Sequence, residues 1–149
     1  MSDDVQGSTV PPMIRQGELV EQIAREILGA VSQPFTSLEY SATILTGYTE
    51  SGLLITHPDG TVESEYPPRS VSPLARELRG VMYSEGTGTW FSMTLSISDK
   101  GSASAGFNFT DAPPLDQELS PSVYADELKK YPRDDAHVPE WLRAQAARA

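Results

Sequence analysis

The chain contains no cysteine, which removes disulfides, thiol nucleophiles and thiolate zinc sites together. Histidine is scarce, with two residues in 149. His57 falls in a turn and His137 in an acidic loop. Neither stands at a metal-ligand spacing, so both read as structural or solvated. Bases are also few: 11 Lys and Arg face 21 Asp and Glu, a formal net charge of −10. That balance disfavours nucleic acid and anionic membranes as partners. No apolar run is long enough to span a bilayer. The opening residues Met1, Ser2, Asp3 and Asp4 supply neither the basic nor the apolar region of a secretory signal. A cytoplasmic location is the expectation.

Catalytic signatures are missing as well. Glu85 to Thr89 is glycine-rich but lacks the Lys-Ser/Thr ending with which a P-loop grips phosphate, and it precedes a strand pattern where a P-loop precedes a helix. No Gly-x-Ser-x-Gly occurs to mark a nucleophile elbow. Glu63 and Glu65 are neighbours on one strand face, and paired carboxylates can do acid–base work. Nothing in the sequence supplies them with a pocket. The expectation is a protein that is not an enzyme and needs no cofactor or metal.

What is present is the pattern of one α+β domain, a length that suits a single hydrophobic core. Residues 1–16 have no periodicity and read as a flexible tail, residues 17–143 as the domain, and residues 144–149 as a C-terminal tail. From Glu18 onward Leu19, Val20, Ile23, Ala24, Ile27, Leu28 and Val31 share one side of a helical wheel, and Pro34 ends the helix. Leu38, Tyr40, Ala42 and Ile44 then alternate with Glu39, Ser41 and Thr43, the period of a half-buried strand. A second strand is read over Gly52 to Thr56. His57 to Gly60 is a turn by its Pro-Asp-Gly chemistry, and Thr61 to Tyr66 returns as a third strand.

After Pro67 and Pro68, Ser72 and Pro73 predict the N-cap and first position of a second helix. Phe91, Met93, Leu95 and Ile97 alternate with Trp90, Ser92, Thr94 and Ser96. Ser98 to Gly101 turns the chain into a last strand, whose buried side is read as Ala103, Ala105, Phe107 and Phe109. Ser120 and Pro121 open a third helix, Pro132 stops it, and Pro139 opens a short fourth through Trp141 and Leu142. Hairpin-linked strands between helices predict an antiparallel sheet of about five strands.

Two residues break their patterns. Trp90 falls on the Ser/Thr side of its strand, either packed under an element on that face or exposed as a contact residue. Glu127 interrupts the stripe of Val123, Tyr124, Leu128 and Tyr131. Either that stripe is half-buried, or the carboxylate has a partner such as a tyrosine hydroxyl. Asp126 and Lys130 are spaced as an i,i+4 ion pair.

The acids are unevenly placed. Glu26, Glu39, Glu50, Asp59, Glu63 and Glu65 lie in a stretch to Pro68 without one base, and Asp111, Asp116, Glu118, Asp126 and Glu127 in another. A solvated surface is the plain reading of such runs, and an electrostatic docking face the sharper one.

The order of these segments resembles the YezG-like immunity proteins, antitoxins paired with secreted polymorphic toxins of bacteria. The resemblance covers about Gly17 to Arg143. It rests on the helix Leu19 to Leu28, the turn at Asp59 and Gly60, Trp90 to Ile97, Asp99 to Gly101, Gly106 to Phe109, Tyr124 to Arg133 and Pro139 to Leu142. The chain departs from the pattern in its last strand, rich in Ser and Ala where acids are common.

The resemblance implies an inhibitor that binds the folded C-terminal toxin domain in the cytoplasm of the producing cell, nucleases being among the partners of such proteins. A toxin that grips an anionic substrate, nucleic acid or NAD, presents a basic active-site surface toward which a −10 protein is steered. The charge map nominates Glu63, Glu65, Asp111, Asp116 and Glu118 as the docking face, with Trp90 as a contact. A secretion chaperone, which holds an extended segment of an effector, is the alternative of the same size and charge.

Overall fold

The computed structural model describes residues 10–149. These residues form an α+β domain of four α-helices and one five-stranded antiparallel sheet, as the alternating patterns predict. The first helix, α1, is Pro12–Ala30. It therefore starts before Glu18, and residues 12–16, read from sequence as tail, are helical. Pro12 at its first turn needs no hydrogen-bond partner for a missing N–H, and Arg15 reaches Glu77 at 2.7 Å. The remainder of that expected tail, residues 1–9, lies outside the described residues.

Strands β1 (Ser37–Leu45), β2 (Tyr48–Thr56) and β3 (Val62–Glu65) form a meander. β2 begins four residues before Gly52. Thr46 and Gly47 make a two-residue turn, with Leu45 opposite Tyr48 and Gly47 at φ 82°. Glycine enters this left-handed region without the clash of a Cβ. Helix α2 is Val71–Val81. It starts two residues earlier than the Ser72-Pro73 signal places it, and Ser70 donates its hydroxyl to Glu26 on α1 (2.6 Å) rather than capping. β4 (Ser92–Ser98) and β5 (Ala103–Asn108) complete the sheet in the order β3-β2-β1-β4-β5. Phe109 falls beyond β5 and is exposed, so it does not extend the buried side.

The two faces of the sheet have opposite chemistry. Leu38, Tyr40, Ala42, Leu53, Ile55, Met93, Leu95 and Ile97 meet Leu19, Ile23 and Ile27 of α1 and Val71, Ala75 and Leu78 of α2 in the main core. Each large apolar side chain fully buried there stabilises the fold by roughly 1.5–3 kcal/mol. The other face carries Glu39, Ser41 and Thr43 of β1, Glu50 and Gly52 of β2, and Ser92, Thr94 and Ser96 of β4, aligned by the strand register. Helices α3 (Pro121–Lys130) and α4 (Glu140–Ala146) cover only the end of that face. There Leu45, Phe91, Leu119, Tyr124 and Leu142 form a second, smaller core. Ser120 caps α3 through the N–H of Ser122, with Pro121 at the first position, as its Ser-Pro signal predicts.

Candidate partner-binding surface

The C-terminal third is fastened to the sheet by charge. Arg79 of α2 and Glu127 of α3 are each 2 % exposed and form a two-pronged ion pair. Arg79 Nη1 donates to Glu127 Oε1 at 3.0 Å, its Nη2 to Oε2, and its Nε to the carbonyl of Trp90 at 2.6 Å. Glu127 Oε1 also accepts from the backbone N–H and the hydroxyl of Thr46, both at 2.9 Å. One buried network thus joins α2, α3, the β1–β2 turn and the segment entering β4. The carboxylate that breaks the α3 stripe is paired, and its partner is an arginine rather than the expected tyrosine hydroxyl. Arg79 falls on the buried stripe of α2 with Val71, Ala75 and Leu78, but its partner is far along the chain and no periodicity points to it.

A second arginine works beside it. Arg133 lies over the ring of Phe91, 4.6 Å from its centroid, and donates to the carbonyls of Thr89 (2.7 Å) and His137 (3.1 Å). Burial holds its guanidinium below the usual arginine range, with Glu127 pulling the other way. Gly88, at φ 91°, leaves room for it: a Cβ there would stand 2.2 Å from Arg133 Nε. The glycine-rich stretch is therefore a cradle for a side chain, not for phosphate. Asp126 and Lys130 do not pair. Lys130 lies over the Tyr131 ring, its ammonium 5.7 Å from the centroid.

Trp90 is not a contact residue. It is fully buried in the main core and tilted against Phe107 at 5.6 Å. The alternation that puts it on the Ser/Thr side fails because β4 begins only at Ser92. Trp90 and Phe91 belong to the entering segment that Arg79 and Arg133 hold, and Phe91 turns into the smaller core instead.

The nominated carboxylates do not form one face. Glu63 and Glu65 stand opposite Ile55 and Leu53 in the register, so they line the helix-side margin of edge strand β3. Glu63 accepts from His57 Nε2 at 2.9 Å. That bond raises the His57 pKa above its ordinary value, helped by the Pro34 carbonyl. Glu63 and Glu65 interact as well, Glu65 holding a proton more tightly because of Glu63 and Glu63 less tightly in consequence. Glu118 is exposed and lies 3.9 Å from Arg148.

Asp111 and Asp116 belong to the loop after β5. Asn108 staples its start, accepting from the Asp111 N–H at 2.9 Å and donating to the Asp111 carbonyl at 2.9 Å. The loop then crosses to β2, where the Asp116 N–H donates to Glu50 Oε1 at 3.2 Å. Tyr48 donates its hydroxyl to the same oxygen at 2.6 Å.

Between this loop and the uncovered sheet lies a groove of about 440 Å³, lined by Ser41, Thr43, Glu50, Gly52, Ser92, Thr94, Pro114 and Asp116 among others. Only Asp116 among the nominated residues reaches it. The hydroxyls and Glu50 could have been found from the strand alternation, whose second face carries Ser, Thr and Glu in place of apolar residues. No group of residues capable of holding a metal ion occurs among the described residues, and no helix there is long and apolar enough to cross a membrane. The chain matches no protein-family model, and no curated protein matches it.

Proposed function

We propose that the chain is an immunity protein, a non-enzymatic inhibitor that binds the folded domain of a cognate bacterial toxin in the cytoplasm of the cell that makes both. The observation that carries this reading is the uncovered sheet face. A sheet presenting hydroxyls and carboxylates to solvent, walled by an acidic loop, is built to be met by something basic. The formal charge of −10 steers such a partner toward it. The resemblance to YezG-like immunity proteins supports the same reading. Its segments Trp90 to Ile97, Tyr124 to Arg133 and Pro139 to Leu142 pack on one another through Phe91, Arg133 and Trp141. A toxin acting on an anionic substrate, a nuclease or an NAD-degrading enzyme, offers the matching basic surface.

A secretion chaperone is the second reading, and one observation favours it. β5 is an edge strand, and beside it α1 leaves an apolar groove of about 560 Å³ lined by Val20, Ala24, Leu28, Ala105 and Phe107. An extended segment could add to that edge. Co-purification separates the two. The tagged chain is expected to capture the C-terminal half of the toxin encoded beside it and to restore growth to cells expressing that half. Capture of the N-terminal half alone would replace immunity with chaperoning.

A further inference from the structure

We propose that the groove on the open sheet face receives an arginine side chain presented by the partner protein. The partner's identity rests on the immunity reading; the ligand chemistry rests on the groove itself. Thr43 is only 7 % exposed and lines the groove, yet its hydroxyl has no hydrogen-bond partner among the described residues. The hydroxyl is not among the sealed, unpaired side-chain atoms; it opens into the groove, where a ligand's donor can take the place of water. Ser41 and Thr94, directly opposite each other on β1 and β4, flank the same floor.

The charged groups are all acceptors. Glu50 Oε1 is taken up by Tyr48 and the Asp116 N–H, which orients the carboxylate and leaves Oε2 without a partner among the described residues. Asp116 adds a second carboxylate, and no Lys or Arg lines the groove. An occupant must therefore bring several N–H donors and positive charge. A guanidinium supplies five donors in a planar fork and no acceptor, and two carboxylates above a row of hydroxyls match it. The volume lies within the range of ligand-binding clefts, so the side chain can enter with part of the backbone that carries it.

The test uses the isotope-labelled full chain and N-acetyl-arginine amide, followed by NMR. Saturable shifts are expected at the amides of Ser41, Thr43, Gly52, Ser92 and Thr94. The N-acetyl-citrulline amide, equal in shape and uncharged, should leave them in place. Glu50→Gln with Asp116→Asn should weaken the arginine probe about tenfold, and Thr43→Val about fivefold. Glu63→Gln with Glu65→Gln should leave its affinity unchanged. Equal shifts with citrulline, shifts that never saturate, or shifts centred on β3 would overturn the proposal.

Growth rescue keeps the two readings apart. Wild-type rescue combined with a failed titration removes the groove and leaves immunity standing. Failed wild-type rescue removes immunity, while the titration still decides the groove.

Discussion

Arg79 and Glu127 show how much can depend on two side chains. Removing one member of a buried ion pair leaves the other charged and unpartnered, which costs roughly 3–5 kcal/mol. Glu127→Gln should therefore lower the free energy of urea unfolding by about that amount. The double variant Arg79→Met with Glu127→Leu should recover much of the loss, because neither charge then remains. The Tyr40 hydroxyl works in the opposite sense. It is fully buried and has no hydrogen-bond partner among the described residues, and burial pushes its pKa up. Tyr40→Phe should raise stability by about 1 kcal/mol in the same measurement.

His57 has a sign that can be read by titration. Its folded pKa is raised by Glu63, so any stability it contributes is fully present below its unfolded pKa of about 6.5. That contribution is lost as pH rises through the higher folded value. In Glu63→Gln the His57 resonances should titrate closer to the ordinary value; an unmoved midpoint would dissociate His57 from Glu63. At this scale the sequence was legible where a residue obeyed its period, as with Tyr40 on the core face. It was opaque at Glu127, whose partner is distant along the chain, and at Trp90, where the period changes just before β4.

Among the elements, the segment between α2 and β4 bears most on how the C-terminal third is seated. Gly88 is held at positive φ against the Arg133 guanidinium, so Gly88→Ala forces both backbone strain and displacement of Arg133. A loss of roughly 1–3 kcal/mol is expected from the backbone alone. Gly52→Ala, in a strand with nothing within 4 Å of the added carbon, should stay near wild type. Thermal melts of the two side by side check the contrast. The existence and type of every α-helix and strand among the described residues were readable from periodicity and turn chemistry; the 3-10 turn Asp135–His137, read as loop, was not. Boundaries slipped where no periodicity marks them, at the Pro12 start of α1, the early start of β2 and the Val71 start of α2. The function of the Gly-Thr-Gly stretch was not readable, because its ligand is an arginine 45 residues away in sequence, as Gly88 and Arg133 are numbered.

For the whole molecule, the proposed binding brings the uncovered face and the net charge together. Binding to a basic partner should slow as salt rises, since exposed charges are screened beyond about 10 Å at 0.1 M salt. Asp116→Lys should reduce the association rate more than Glu63→Lys with Glu65→Lys, because those two line the helix-side margin of the sheet. Stopped-flow mixing with the captured partner at two salt concentrations measures both. The lock between Arg79 and Glu127 also sets a schedule for synthesis. Arg79 leaves the ribosome 48 residues ahead of Glu127, its carboxylate partner. Until α3 follows, the growing chain holds a cation that cannot be sealed inside, so its inner layer stays open to water and to proteases. A chain cut short before α3 is therefore expected to be digested faster than the full chain in limited proteolysis, its Arg79 left without Glu127.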